Sequence, residues 1–194
     1  MGLINFASEG VSSMNVEDLL LVGALAVIAQ DLSLARRMVK FSNSYVFEEG
    51  ELMENLKLPA ADLRRLIYKM QDYNLVSQIA VKEGDEGVKR VYWRLNRETA
   101  KSFLMKKLEE LKSIIERRRQ EEEVNEYYVC AADPTHIRIS FDEAVSKLSD
   151  EGMTCPVCGA MLEPQPRSRV LEILDELTEV VTKALNVLKG LEFA

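Results

Sequence analysis

A chain of 194 residues has room for one medium domain or two small ones, and 47% hydrophobic residues are enough for real cores. The charged fraction of 29% is ordinary, but the net charge of −7 and a pI near 5.0 speak against strong free-standing affinity for nucleic acid. A factor that meets DNA only while docked on something larger remains compatible with that balance.

Met1-Gly2-Leu3-Ile4-Asn5-Phe6 lacks the Ser or Thr of a myristoylation signal, and no basic start leads into an apolar stretch and a cleavage site. An intracellular, cytoplasmic protein is expected. The longest apolar run, Leu19 to Ala29, has eleven residues, too few for a hydrocarbon layer that needs about 20, so a buried helix and no membrane span are expected. Leu34, Met38 and Phe41 continue the helical pattern, Tyr45-Val46-Phe47 suits a short strand, and Glu48 to Leu56 gives a second short helix. Pro59 suits the first position of a third helix, in which Leu63, Leu66, Ile67 and Met70 share one buried face and which Asn74 ends. Strands from Leu75 to Lys82 and from Val88 to Leu95 flank the acidic turn Glu83-Gly84-Asp85-Glu86-Gly87. This order predicts a winged helix-turn-helix domain over residues 1–95.

Residues 96–126 read as a charged linker helix. Leu104, Leu108, Leu111 and Ile115 form a narrow 4-3-4 seam, and Arg117-Arg118-Arg119 and Glu121-Glu122-Glu123 close the stretch as a solvated spacer or a docking surface. From Tyr127 to Pro164 short β-prone pieces surround the cysteines. After the Pro164-Gln165-Pro166 linker, Val170, Leu171, Leu174, Leu177, Val181, Leu185 and Leu188 mark one side of an amphipathic helix over 167–190. That helix either packs back on the chain or offers its face to a partner. The fold class predicted is mainly α with small β: winged helix over 1–95, linker helix over 96–126, zinc ribbon over 127–164 and C-terminal helix over 165–194.

Three cysteines fit a disulfide framework poorly. Cys155-Pro-Val-Cys158-Gly brings two thiolates to one ion, with the Gly permitting the tight turn behind them, and Cys130 stands where the first knuckle of a ribbon begins. A closed structural site wants four ligands. Asp133 occupies the position of a second thiolate in that first knuckle, whereas His136, the only histidine, is the chemically better ligand at a longer spacing. Both stay open as the fourth ligand to one structural Zn2+, as does a ribbon that has lost its metal and keeps Cys130 as a small buried hydrophobe.

Alternation along the last strand puts Val91, Trp93 and Leu95 on one face and Arg90, Tyr92 and Arg94 on the other. The first face is apolar and suits the core, although Trp93 also counts among the candidate contacts to DNA or a protein partner. The second, an aromatic ring between two guanidinium groups, suits a melted strand or an acidic protein surface. On the third helix Arg64, Arg65 and Lys69 lie off the buried face and could meet phosphates, which is the case for a DNA-binding repressor. Residues 1–95 carry 11 Lys/Arg and 13 Asp/Glu, and an acidic wing tip counts against that reading. An enzyme has less support: there is no G-x-S-x-G, P-loop, dinucleotide fingerprint or H-E-x-x-H.

Val91-Tyr92-Trp93-Arg94-Leu95-Asn96, Tyr127-Tyr128-Val129-Cys130, Ser140-Phe141-Asp142-Glu143-Ala144 and Cys155-Pro-Val-Cys158-Gly159 together carry a resemblance. Over roughly residues 15–164 the chain resembles the archaeal transcription factor E α subunit, counterpart of the large subunit of eukaryotic TFIIE. The resemblance implies a non-enzymatic general transcription factor of an archaeal cell, associated with the nucleoid. It implies binding to the clamp and stalk of RNA polymerase beside TBP and TFB, contact with promoter DNA inside that complex, and promotion of promoter opening. In some lineages such factors pair with a β subunit. Asp133 in place of a cysteine, and the long stretch from Ala131 to Ile139, depart from the pattern.

Overall fold

The structure is a computed structural model that describes residues 14–42, 44–83, 89–147 and 152–191, with backbone alone at 80–83, 89, 90 and 147. The N-terminal hexapeptide, the acidic turn at residues 84–87 and the Arg90 side chain lie outside the described residues. In chain order the elements are α1 (Val16–Ala29), α2 (Leu32–Phe41), β1 (Val46–Glu48), α3 (Glu49–Leu56), α4 (Ala60–Asp72), β2 (Val76–Glu83), β3 (Lys89–Leu95) and α5 (Glu98–Val124). They continue with β4 (Tyr127–Cys130), β5 (Arg138–Ser140), α6 (Phe141–Lys147), β6 (Leu162–Pro164) and α7 (Arg167–Gly190). Two compact units result, Met1–Lys107 and Leu108–Ala194, and the division falls within α5. Among the described residues no helix is long and apolar enough to cross a membrane.

In the first unit the helix ends are set by local polar chemistry. Asn15 caps α1 by accepting from the Asp18 N–H at 2.8 Å, and Asp31 caps α2 by accepting from the Leu34 N–H at 2.9 Å. Gln30, in the left-handed region at φ 56°, separates the two helices. Pro59 stands at the N-cap of α4, one position before its expected place, because its ψ of 143° is extended. Asn74, at φ 55°, reverses the chain after α4, and its carbonyl accepts from Asn96 Nδ2 and Thr99 Oγ1, both at 2.9 Å.

Strand order is β1-β3-β2, antiparallel throughout, with Phe47 opposite Trp93 and Val76 opposite Leu95. The inward face of this sheet and the apolar faces of α1, α2, α3 and α4 share one core, in which Leu21, Leu25, Met38, Leu52, Leu63 and Met70 are fully buried. Trp93 is 5% exposed, so it belongs to the core and is not a surface contact. Tyr45 precedes β1 and is not part of it. Its hydroxyl donates to Asp18 at 2.6 Å, which raises the phenol above its ordinary pKa, and Arg97 stacks on its ring at 4.2 Å while pairing with Glu17 at 2.7 Å.

In the second unit β4 is the middle strand of the order β5-β4-β6, and a short helix, α6, follows β5 where only β-prone pieces were expected. Ser140 caps it reciprocally with Glu143, a capping box. Helix α7 packs Leu174, Val181 and Leu185 on Ile115 of α5, with Leu108 and Val170 at the margin. Two expected seam residues are displaced from this contact: Leu111 is 44% and Leu177 45% exposed. Each helix has an apolar sector wider than the contact, which follows 108, 115 on α5 and 170, 174, 181, 185 on α7.

Candidate metal centre and wing face

Cys130 ends β4, the strand that pairs on both sides, so its thiol is fixed by the sheet and fully buried. Cys155 and Cys158 come from a tight turn in which the Gly159 N–H donates to the Cys155 carbonyl at 2.8 Å and the Cys155 N–H to the Ala160 carbonyl at 2.7 Å. Gly159 has φ 75°, a conformation that a side chain would strain. The bridge between Thr154 and Met161 and the pairing of Cys130 with Leu162 bring this turn against β4.

His136 arrives from the loop between β4 and β5. Asp133 Oδ1 accepts from the Thr135 N–H at 2.9 Å and from its hydroxyl at 2.7 Å, an Asx turn that folds the loop back. These two bonds hold the Asp133 carboxyl below its ordinary pKa. His136 Nδ1 then lies 3.8 Å from Cys130 Sγ, and its Nε2 lies 3.7 Å from Asp133 Oδ2.

One ligand atom each from Cys130, His136, Cys155 and Cys158 lies within 4.8 Å of every other, and Asp133 is outside this group. Around a tetrahedral ion with metal–sulfur bonds of about 2.3 Å, sulfurs stand about 3.7 Å apart. The 3.4 Å between Cys130 and Cys158 is near that value and far beyond the S–S bond of about 2 Å. The set is consistent with a metal site. Electrostatics point the same way at Cys130, where the Asp133 backbone N–H lowers the thiol pKa and favours the thiolate. At Cys158 the Ala160 N–H pulls downward, yet the bond to Cys130, burial and Cys155 together leave the thiol raised.

Beside the ribbon lies an arrangement that sequence reasoning missed. Glu122 is 2% exposed and meets Arg118 at 2.7 Å and Arg138 at 2.5 Å. Arg138 also donates to Gln165 at 2.7 Å and stacks on the Tyr127 ring at 3.5 Å, with Arg118 5.3 Å from the same ring. The charged run therefore clamps the end of α5 to β4 and β5. A signal existed: Glu122 follows Leu108 and Ile115 at successive seven-residue steps, on the buried side of the helix.

On the wing, Tyr92 is half-buried and Arg94 exposed, on the face of the central strand β3 opposite Trp93. Arg64, Arg65 and Lys69 are exposed on α4, but Arg64 pairs with Glu49 and Arg65 with Asp62 at 2.6 Å. The cations that could have met phosphates are thus partly neutralised by their own domain.

Comparison with known proteins follows this geometry. Residues 34–125 match the family described as TFIIE alpha subunit. Transcription factor E of Ignicoccus hospitalis is 34% identical over 146 residues, covering 72% of this chain and 79% of that one. Transcription factor E of Natronomonas pharaonis is 30% identical over 139 residues, with coverages of 72% and 76%. That of Pyrococcus abyssi is 29% identical over 135 residues, with coverages of 68% and 66%.

Proposed function

The chain belongs to the transcription factor E family, the archaeal relatives of the TFIIE alpha subunit, and from that premise we propose that it binds RNA polymerase beside TBP and TFB and promotes promoter opening. As a basal transcription factor it is not an enzyme. The polymerase clamp and stalk are its proposed docking surfaces, promoter DNA is met inside the complex, and a β subunit is a further candidate partner. The ribbon would hold one structural Zn2+ through Cys130, Cys155, Cys158 and His136, with the Asx turn at Asp133 folding the loop so that the imidazole reaches the thiols. When bound, the ion ties the two knuckles of the ribbon together.

The observation that carries the opening role is the outward face of β3, where Tyr92 and Arg94 sit back to back with the buried Trp93. A half-buried ring beside a guanidinium suits an unpaired base, and each stacked base contributes about 1–3 kcal/mol. Such a contribution matters in a complex balanced between closed and open DNA. Tyr92→Ala should leave the fold intact and lower open-complex formation in transcription reconstituted from polymerase, TBP and TFB. Unchanged opening with this variant and with Arg94→Ala would remove the wing from the mechanism. A repressor reading is weakened by the Glu49 and Asp62 pairs, and free protein should bind duplex DNA no better than the non-specific range of about 10⁻⁴–10⁻⁶ M.

A further inference from the structure

Helix α7 carries two apolar stripes, and α5 covers one of them. The covered stripe runs through Leu174, Val181 and Leu185. The other consists of Ile173, Leu177, Val180 and Val187, at 45%, 45%, 63% and 65% exposure, with Ala184 half-buried among them. Its 4-3-4-3 spacing is that of a coiled-coil seam, turned by roughly 90° from the covered stripe at 100° per residue. Helices α5 and α7 run antiparallel, since Arg119 meets Asp175 at 2.8 Å and Arg167 reaches the Asn125 carbonyl at 3.4 Å. Leu111 and Ile114, 44% and 53% exposed, are offset on α5 in the same rotational sense, which in an antiparallel pair puts them on the same side of the hairpin. A continuous apolar strip of this kind marks an interaction surface.

We propose that this strip is a homodimer interface, in which α7 pairs antiparallel with α7 of a second copy about a two-fold axis at Val180. The stripe is self-complementary in that register: Ile173 faces Val187, Leu177 faces the small Ala184, and Val180 faces its own copy. Its charged flank agrees. Glu176 and Lys183, one position before Leu177 and Ala184, meet each other across the axis twice. Lys183 also pairs with Glu179 of its own helix at 2.5 Å and keeps 71% of its side chain exposed, open to a second carboxylate. A parallel pair would set Glu176 and Lys183 against positions 174, 181 and 188, which are apolar and buried, so no ion pair would form. Closure is isologous, and two hairpins complete a four-helix arrangement.

Sedimentation equilibrium of the full chain, over a roughly hundredfold range of concentration, should give a species of twice the 22.0 kDa chain mass. Val180→Asp, which opposes two carboxylates on the axis, should yield the single chain with unchanged helical circular dichroism. Glu176→Lys should raise the dimer Kd about tenfold, and Glu176→Lys with Lys183→Glu should restore much of it. Mixed Ile173→Cys and Val187→Cys chains should cross-link to each other and not to themselves. A single chain at every concentration overturns the proposal, as does a dimer indifferent to Val180→Asp and Glu176→Lys, or self-linking of Ile173→Cys. Loss of binding to some other helical protein by these variants, with wild type monomeric, would assign the strip to that protein and equally overturn it.

Discussion

Among the described residues the winged helix encloses twenty buried apolar side chains, from Leu21 to Phe103, whereas the ribbon encloses five, two of them cysteines. The first unit can rest on area removed from water. The ribbon of the second unit cannot, because a module of this size buries too little, so it depends on polar devices: convergent thiolates and imidazole, a buried carboxylate between two arginines, and an Asx turn. The two units therefore have different points of failure.

Cys155→Ser should separate them most strongly. Structural zinc in small modules contributes about 10–16 kcal/mol of apparent folding free energy, so the ribbon should unfold and metal analysis should find no ion. Amide exchange in α1, α2 and α4 should be unaltered, and a zinc-free wild type with a folded ribbon would break the contrast. Trp93→Ala attacks the other side. It should cost roughly 3–5 kcal/mol in the first unit, read by calorimetry, and leave the metal content at one equivalent. Among the described residues the buried Trp93 indole N–H has no partner, so Trp93→Phe should be tolerated far better.

Smaller effects sharpen the comparison. Glu122→Ala leaves two partly exposed guanidinium groups without their shared carboxylate, and should lower the stability of the second unit by about 2–3 kcal/mol, with zinc retained. Asp133→Ala should weaken zinc binding about tenfold, the scale of losing a group that orients a ligand, whereas His136→Ala should abolish tight binding. Competition with a chromophoric chelator reads both. The reverse order would make Asp133 the ligand.

Much of the architecture was legible because periodicity survives folding. The apolar face Leu63, Leu66, Ile67 and Met70, the alternation Val91, Trp93 and Leu95, and the span of α7 all fall where the pattern puts them. Most of what failed was fixed by a second element. Leu111 and Leu177 satisfy a seam as sequence but lie outside it, because the partner helix selects one side of a wide apolar sector. His136 and Asp133 could not be ranked from spacing, since an Asx turn shortens the loop by an amount that residue counting does not reveal. For the run containing Glu122 the sequence leaves a solvated spacer and a docking surface both open, because its two arginine partners, one of them on β5, become visible only when the strands assemble.

Trp93 is the chain's single tryptophan, and it lies in the core of the first unit. Indole emission is therefore a private signal of the winged helix, and the ribbon is dark to it. A chain that had lost its metal and its entire second fold would still show the emission maximum and the melting curve of an intact protein. Coincidence of probes, the usual test of two-state unfolding, needs here a second colour that the thiolates themselves can supply: cobalt in place of zinc absorbs visible light, and that band would vanish with the ribbon while the indole stays in its pocket.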